Sequence, residues 1–183
     1  MLAVRAHRYG APDALVVEHL PEPEPGPGQV LVAVHAAAVN FPDVLILAGR
    51  YQVSWPLPLV PGSEFAGVVQ RIGDGVRGFA PGDRVYGSIG VGAFAERLVA
   101  PADRLALVPA GVPMREAAAF RVAHGTAYHV VRTVAGVQPG DWIVVLGAAG
   151  GVGLAAVDVA RLLGVRVLAA VSTAEKAEVC RAR

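Results

Sequence analysis

The fold of this chain is decided by the stretch Asp141-Trp142-Ile143-Val144-Val145-Leu146-Gly147-Ala148-Ala149-Gly150-Gly151-Val152-Gly153-Leu154-Ala155-Ala156. Residues 143–146 are apolar and rich in β-branched side chains, which predicts a buried strand, and residues 154–163 have the composition of a helix. Gly151, Gly153 and Ala156 fit the pattern G-x-G-x-x-A. This is a form of the fingerprint found where a strand turns into the helix of a dinucleotide-binding fold. This order of elements predicts a nucleotide-binding turn.

The turn requires small residues for three physical reasons. One glycine makes the tight turn, one lets the backbone approach a pyrophosphate, and the last small residue lets the helix pack against the strand. The helix N-terminus then presents free N–H groups and a partial positive charge to the phosphates. We therefore predict that Gly150, Gly151, Val152 and Gly153 bind a cofactor pyrophosphate. A glycine-rich turn without a ligand is the alternative, and the strand–turn–helix context favours binding.

Composition argues against several classes of protein. The 183 residues suffice for one large or two small domains, and the net charge of +1 gives no basic footprint for nucleic acid or a membrane surface. Cys180 is the only cysteine, so no intrachain disulfide can form, which fits a reducing cytosol. The N-terminus carries charge too early for a signal sequence, and the uncharged apolar run 142–157 is too short to span a bilayer. We expect a cytoplasmic protein with no nucleic-acid or membrane partner.

The first part of the chain, to about residue 109, is predicted to be rich in β-strands. Turn signals such as Pro81-Gly82-Asp83 separate short apolar runs, and strands at this spacing suggest a sandwich or a barrel. The candidate strands cover residues 2–8, 15–19, 29–39, 64–73, 83–86, 93–99 and 105–108. One helix is expected within this part, over residues 42–48.

The second part, from residue 114, has helical and then α/β character. Its predicted elements are a helical region over 114–135 interrupted at Gly125 and capped by Gly136, the strand and glycine turn, a helix over 154–163, a buried strand over 165–171, and a helix near Ala174 capped by Ser172 or Thr173. We place the domain boundary between 1–113 and 114–183. A dinucleotide fold needs two β-α-β-α-β halves, whereas only one β-α-β unit is found. We therefore expect either a fragment or partner segments supplied from elsewhere.

Several motifs together point to one family. They are Asn40-Phe41-Pro42-Asp43, Ala48-Gly49-Arg50-Tyr51, Pro61-Gly62-Ser63-Glu64-Phe65-Ala66-Gly67-Val68-Val69, Gly92-Ala93-Phe94-Ala95-Glu96, Gly125-Thr126-Ala127-Tyr128 and Gly147-Ala148-Ala149-Gly150-Gly151-Val152-Gly153. With these motifs the sequence resembles the N-terminal part of the zinc-free medium-chain dehydrogenases/reductases, close to NADPH:quinone oxidoreductases. The resemblance implies a β-rich GroES-like catalytic domain followed by the first β-α-β unit of an α/β Rossmann domain, and a homo-oligomer for a full-length protein.

The residues argue against a catalytic zinc. Such a site needs about three protein ligands, such as two cysteines and a histidine, and one cysteine does not supply that set. The resemblance implies that Asn40 fills the family's first cysteine position and that Gly62-Ser63-Glu64 replaces its Gly-His-Glu. His124 and His129 are five residues apart, so they do not share a helix face as ligands would. We predict that the chain holds no metal.

The end of the second strand indicates which nicotinamide cofactor binds. An acidic residue there would bind the ribose hydroxyls of NAD, but the neighbourhood reads Ala170-Val171-Ser172-Thr173-Ala174-Glu175-Lys176. A hydroxyl and an ammonium bind a 2′-phosphate that a carboxylate repels, and the resemblance also gives Lys176 this role. The alternatives are a helix cap for Ser172, a solvated position for Lys176, which is the only lysine, and an approach of Glu175 to the ribose from a longer strand. We predict NADPH.

Reduction of a quinone, or of a double bond beside a carbonyl, builds negative charge on oxygen, which hydrogen-bond donors stabilise. Tyr51 donates its phenolic O–H at neutral pH, and Asn40 offers two amide N–H groups. The resemblance implies that both catalytic candidates lie in the cleft, with Thr126 near the nicotinamide. Packing of Tyr51 under the 56–61 loop, and capping by Asn40 of the helix that follows it, are the alternatives.

Two functions are consistent with these residues. The first is a zinc-independent, NADPH-dependent oxidoreductase that transfers hydride to a small-molecule quinone or α,β-unsaturated carbonyl, such as an enone or enoyl compound. The second is a non-catalytic protein, either a truncated remnant or a nucleotide-binding scaffold of the same family. Asp43 is expected to orient its neighbours and Glu64 to be structural, so neither is given a role in proton transfer.

Overall fold

A computed structural model describes all of residues 1–183 and divides them into two compact units. The first unit is Met1–Ala119 and the second is Phe120–Arg183. No helix in either unit combines the length and the hydropathy that a membrane crossing requires.

The first unit is built on antiparallel strands, which confirms its predicted β-rich character. The elements are β1 (Leu2–Arg5), β2 (Val16–His19), β3 (Gln29–Ala38), α1 (Phe41–Leu47), β4 (Glu64–Ile72), β5 (Arg84–Ser88), β6 (Arg97–Pro101), β7 (Leu105–Leu107) and α2 (Met114–Ala118). Strands β1 and β2 form a ribbon, and the other five form a sheet in the order β6-β3-β4-β5-β7. Two short 3₁₀ turns, Pro12–Ala14 and Ala102–Arg104, complete the unit.

Alternating residues of the five-stranded sheet form the core of the first unit. Val30 and Val32 of β3 pack with Phe65 of β4 and Val85 of β5, and each of these side chains is fully buried. The spacing of two residues between Val30 and Val32 puts both side chains on one face of the sheet. The resulting register sets Ala38, at the end of β3, opposite Glu64 at the start of β4.

Strand β6 begins at Arg97 rather than at residue 93, where the sequence predicted it. The N–H groups of Ala93 and Phe94 donate instead to the carbonyl oxygens of Gly62 and Pro61, each at 2.9 Å. These residues are therefore tied to the loop before β4, and a sheet strand starts only after them. An apolar run of this kind does not reveal which backbone groups it will pair with.

Helix α2 lies with the first unit, although the predicted boundary put residues 114–118 in the second. Ala117 and Ala118 are buried against Ala66 of β4 and Val108. The division by compactness accordingly falls after Ala119. The assignment of catalytic and nucleotide-binding domains to these segments stays a prediction.

The second unit contains the predicted β-α-β arrangement. Its elements are α3 (Arg121–Tyr128), a π-helical turn (His129–Val134), β8 (Trp142–Leu146), α4 (Gly151–Leu162), β9 (Arg166–Ala170) and α5 (Ala174–Arg181). Strands β8 and β9 pair in parallel, with Trp142 opposite Arg166 and Leu146 opposite Ala170. A parallel pair needs a crossover, and α4 supplies it. The fold class predicted for this part is confirmed.

Two helix predictions in this unit were wrong in detail. Helix α3 runs through Gly125 without interruption, because one glycine costs only about 1 kcal/mol in a helix whose face is packed. Ala127 of α3 provides that packing, buried in a cluster with residues of α4. Helix α4 begins at Gly151 rather than at residue 154, so the fingerprint glycines form its first turn. Gly136 has a φ of +62°, as a C-terminal cap requires.

The strands of this unit are buried on one face only, whereas the sequence predicted buried strands. Trp142, Val144 and Leu146 of β8 are 67%, 61% and 80% exposed, and Leu168 of β9 is exposed beside them. Ile143 and Val145 alternate with the exposed residues and pack in the clusters around α4. Helical packing on one side of a two-stranded sheet leaves the other side open, which composition alone does not indicate.

Candidate functional site

The glycine turn between β8 and α4 has a backbone shape that its small residues make possible. Gly147 takes a φ of +65°, a conformation that L side chains rarely adopt. A Cβ on Gly153 would lie 2.4 Å from the carbonyl oxygen of Gly147 and 2.8 Å from the Cα of Ala148. Because both neighbours are backbone atoms, they cannot move aside, and the strand and helix meet closely only with glycine at position 153.

The first turn of α4 offers donors for an anion. Gly150 is the N-cap residue, and its own N–H donates to the Gly147 oxygen at 2.9 Å within the turn. The N–H of Leu154 is the first to find its acceptor inside the helix, the Gly150 oxygen at 2.8 Å. Helix geometry leaves the N–H groups of Gly151, Val152 and Gly153 without an intrahelical acceptor. A Cβ on Gly151 would meet nothing within 4 Å, so open space adjoins these donors.

A cavity of about 470 Å³ lies beside this turn, within the second unit. It is lined by Gly147, Ala149, Gly150, Ala170, Val171, Ser172 and Lys176. The predicted Gly150, Ser172 and Lys176 are thus brought together, although Ser172 and Lys176 follow β9 while Gly150 follows β8. Parallel pairing explains this, because the carboxyl ends of both strands meet at one edge. The other four lining residues were not predicted as site residues, and only their place at strand ends points to them.

Ser172 and Lys176 form a polar pair at the wall of the cavity. The Lys176 Nζ donates to the Ser172 Oγ at 3.1 Å. The helix cap that was an alternative role for Ser172 belongs to Thr173, whose Oγ1 accepts the N–H of Lys176 at 3.3 Å. The Ser172 hydroxyl is therefore not used as a cap, and a hydroxyl and an ammonium face the cavity side by side.

The predicted Gly151, Val152 and Gly153 do not line this cavity, and neither do Glu175 and Thr126. Glu175 is exposed on α5, and its own N–H and the Thr173 hydroxyl lower the pKa of its carboxyl below the ordinary value. Strand β9 ends at Ala170, so Glu175 does not extend from the strand toward a ribose as the alternative required. Thr126 is exposed on α3, outside the cavity wall.

A second group of polar side chains lies in the first unit, where β3 passes into α1. Asn40 is the N-cap of α1, and its backbone N–H donates to the Asp43 Oδ2 at 2.7 Å. Its side-chain Nδ2 donates to the Glu64 Oε2 at 3.1 Å. The capping role that was one alternative for Asn40 is therefore present, and its amide is engaged in addition.

Both carboxylates of this group are buried. Asp43 is 2% exposed and Glu64 is 1% exposed, and the Asp43 Oδ1 has no hydrogen-bond partner. Burial raises the pKa of Asp43 above its ordinary value, and the polar groups of Asn40 and Ser63 oppose the rise. Burying a charged group costs free energy unless hydrogen bonds compensate for the lost water. The two buried carboxylates therefore indicate either a functional or a structural role for this group.

Tyr51 packs in an aromatic and aliphatic cluster of the first unit. Its ring stacks on Trp55 with centroids 6.2 Å apart and planes 20° apart. The cluster is centred on Ile46, Leu47 and Leu59, and Tyr51 is half-buried against it. The packing alternative is therefore present for the ring, and the hydroxyl at its tip stays a candidate donor.

No three His, Cys, Asp or Glu side chains are grouped so as to hold a metal ion. Ser63 and Glu64 occupy β4 and the loop before it, while Cys180 is buried on α5 of the second unit. His124 lies 3.6 Å from the Asp158 carboxylate and stacks on Phe120. The absence of zinc stays a prediction.

Comparison with known proteins supports this description. Residues 26–110 match the alcohol dehydrogenase GroES-like domain. The chain is 41% identical over 171 residues to Quinone oxidoreductase-like protein 2 homolog of Nematostella vectensis, covering 92% of this chain and 46% of that protein. It is 37% identical over 177 residues to human quinone oxidoreductase, covering 96% of this chain and 54% of that protein.

A solved structure with the same fold is the Escherichia coli quinone oxidoreductase complexed with NADPH. The TM-score is 0.94 at 31% identity, covering 100% of this chain and 56% of that one. The chain spans about half the length of the relatives it matches. The match falls on their N-terminal half, as the sequence motifs predicted.

Proposed function

From the premise that this chain belongs to the quinone oxidoreductase-like medium-chain dehydrogenases/reductases and corresponds to their N-terminal half, we propose a function for it. The proposed activity is zinc-independent and NADPH-dependent reduction of a quinone or an α,β-unsaturated carbonyl compound. The observation that carries the proposal is the cavity that Gly147, Ala149 and Gly150 of the glycine turn line together with the Ser172–Lys176 pair.

The residues present fit a dinucleotide cofactor. The backbone contact between Gly153 and Gly147 excludes side chains from the turn, and open space adjoins Gly151, where a pyrophosphate would lie. The N–H groups of residues 151–153 would bind its oxygens at the positive end of α4. The cavity of about 470 Å³ is within the range of ligand pockets. NADPH would supply the hydride, and the protein would supply binding and orientation.

The Ser172–Lys176 pair supports NADPH over NADH. An ammonium and a hydroxyl are the groups that bind a phosphate, and no carboxylate lines the cavity to repel it. Lys176 lies in the first turn of α5, so its backbone adds to the positive end of that helix. We assign the 2′-phosphate to these two residues, and we keep Thr126 as a proposed neighbour of the nicotinamide on the basis of the family resemblance.

Asn40 and Tyr51 are the proposed donors to the substrate oxygen. Negative charge develops on that oxygen as hydride is added to the conjugated system, and each neutral donor aimed at it lowers the barrier. The Asn40 Nδ2 donates to the Glu64 Oε2 at 3.1 Å. The Tyr51 ring stacks on Trp55. The cytoplasmic location expected from the sequence stays a prediction.

The proposal is tested by titrating the 183-residue chain with NADPH and, separately, with NADH while following the cofactor fluorescence. We expect NADPH to bind at least about tenfold more tightly, since a charge-assisted contact to phosphate is worth that factor. Oxidation of NADPH in the presence of duroquinone or an enone then tests hydride transfer. No binding of either nucleotide would overturn the proposal.

A nucleotide-binding scaffold is the second candidate function. It is favoured by the location of the whole cavity in the second unit, whose turn and strand ends line it without residues of the first. Binding of NADPH without oxidation by any quinone or enone would select the scaffold. Turnover by this chain would exclude it.

A further inference from the structure

Glu64 is a buried carboxylate that the proposed reaction does not use directly. It is the first residue of β4 and is 1% exposed. The register of β3 and β4 sets it opposite Ala38, two residues before Asn40, so the sheet carries it to the Asn40 side chain. Their hydrogen bond joins residues 24 positions apart and is 3.1 Å long.

The Glu64 carboxyl group determines which way the Asn40 amide faces. An ionised carboxylate only accepts hydrogen bonds, so the Asn40 atom that meets it is Nδ2 and not Oδ1. The flipped amide would place two oxygens against each other inside the protein, which is costly. One Nδ2 hydrogen is thereby committed to Glu64, and the other is the donor that stays available.

Asp43 fixes the same residue at its backbone. Its Oδ2 accepts the Asn40 N–H at 2.7 Å from within the first turn of α1. The backbone is thus held by one carboxylate and the side chain by the other. Because these contacts involve different atoms of Asn40, the two acids have separable effects, which gives a matched control.

We propose that Glu64 is a positioning residue that holds the Asn40 amide so that one defined N–H is directed at the carbonyl oxygen of the bound substrate. The inference rests on the proposed function for the identity of that oxygen. Fixed donors stabilise a developing charge better than donors that must reorganise during the reaction. A glutamate at this position therefore supplies orientation, whereas an apolar residue would fill the same space and leave the amide free to flip.

The chain offers a direct measurement, because Asn40 is its only asparagine. Labelling with asparagine that carries ¹⁵N in the side chain gives one NH₂ pair in the spectrum of the 183-residue chain, without cofactor or substrate. In the wild type we expect the two hydrogens to be well separated in chemical shift, with the one bound to Glu64 downfield. In Glu64→Met we expect the separation to fall to that of a solvated amide, and exchange of the NH₂ hydrogens with water to rise about tenfold, as loss of the hydrogen bond implies.

Two variants keep the test decisive. Asp43→Ala removes the group that holds the backbone and adds no second asparagine, so the Asn40 NH₂ pair should keep its separation. Glu64→Gln preserves the side-chain volume but offers a neutral acceptor that can also flip, so the bonded hydrogen should move upfield. An Asn40 NH₂ pair unchanged in both Glu64 variants would overturn the inference, as would an equal effect of Asp43→Ala.

The failure of this inference and that of the proposed function are distinguishable. If the chain binds no NADPH, the Asn40 spectrum still reports whether Glu64 holds the amide. If the amide proves mobile, the NADPH titration is unaffected, because its binding residues lie in the second unit. In any preparation that oxidises NADPH, Glu64→Gln should lower kcat about tenfold and leave KM nearly unchanged, since orientation acts on the transition state.

Discussion

The glycine turn of the second unit and the Asn40 group of the first unit, which comprises Asn40, Asp43 and Glu64, are proposed binding groups that are built in different ways. At the turn the proposed binding group is the backbone itself, and the requirement on the side chains is that they be absent, as at Gly153. At Asn40 the proposed binding group is a side chain, and two buried carboxylates, Asp43 and Glu64, accept hydrogen bonds from this residue. The first arrangement depends on shape and the second on charge.

This difference has consequences for what each region tolerates. The turn is sensitive to volume, because a single methyl group at position 153 would meet backbone atoms that cannot yield. The Asn40 group is sensitive to the identity of its polar atoms. Its side chains already fit in the available space, so a substitution of similar size changes only which atoms donate and accept hydrogen bonds. Substitutions that add volume and substitutions that change polar atoms separate these two kinds of sensitivity.

The largest effect is expected from Gly153→Ala. The added Cβ would lie 2.4 Å from the Gly147 oxygen, so helix and strand must move apart. We expect a loss of about 2 to 3 kcal/mol in the free energy of unfolding, as for overpacking of a close contact, measured by urea denaturation. NADPH binding should be lost with it.

Gly151→Ala is the matched control, since a Cβ there meets nothing within 4 Å. Its free energy of unfolding should be unchanged or raised by up to about 1 kcal/mol, as alanine favours a helix. NADPH affinity should nevertheless fall, because the methyl group occupies the space proposed for the pyrophosphate. Equal destabilisation by the two substitutions would show that the turn is not shaped for a ligand.

The next largest effect is expected at Lys176 and tests the role of positive charge at the cavity wall. Lys176→Met should weaken NADPH binding about tenfold, a limited factor because solvent weakens the interaction of an exposed ammonium with phosphate. NADH binding should be unchanged, because NADH lacks the 2′-phosphate. Arg161→Met removes a cation of α4 that does not line the cavity beside the turn, and it should change neither affinity. Fluorescence titration of both nucleotides gives the four affinities. A parallel loss of NADH affinity in Lys176→Met would contradict the assignment of the 2′-phosphate.

A smaller effect is expected at the adjacent hydroxyls of Ser172 and Thr173, where substitutions distinguish helix capping from cofactor binding. Thr173→Ala removes the N-cap of α5 and should cost about 1 kcal/mol of unfolding free energy. Ser172→Ala should cost much less stability, because its hydroxyl bonds only to the exposed Lys176 side chain, and should weaken NADPH binding a few-fold. Urea denaturation and nucleotide titration on both variants test the pair. A larger loss of stability in Ser172→Ala than in Thr173→Ala would indicate that Ser172 is the residue that caps α5.

The two regions also differ in how far the sequence predicts them. The turn is made by residues 147–153, a local stretch whose glycines have known backbone consequences, so strand, turn and helix are predicted together. The bond between Asn40 and Glu64 joins residues 24 apart and depends on the register of β3 with β4, which no local pattern specifies. The residue type identified Asn40 as a candidate hydrogen-bond donor, but the sequence did not predict the orientation of its side-chain amide.

Tertiary contacts account for the fold predictions that were wrong. Gly125 lies within α3 because packing of a helix face outweighs the low propensity of one residue. The strand predicted over 93–99 begins late because Ala93 and Phe94 bond to a loop distant in sequence. Each failure lies where a tertiary contact overrides a local preference, whereas the β-α-β unit, in which local and tertiary preferences agree, was predicted correctly.

The smallest expected effect is a pH dependence of stability from Asp43. Burial raises the pKa of its carboxyl in the folded chain above the 3.8 of an ordinary aspartate, so the folded state binds this proton more tightly than the unfolded state. The contribution to stability is therefore fully present below pH 3.8 and is lost as the pH rises through the folded pKa. Asp43→Asn keeps the shape and has no such titration. The stability of the wild type relative to Asp43→Asn should thus decline with rising pH, as urea midpoints across that range would show. A difference that stays constant would mean that the hydrogen bonds from Asn40 and Ser63 fully offset the burial of the charge, and that the Asn40 group carries no electrostatic cost.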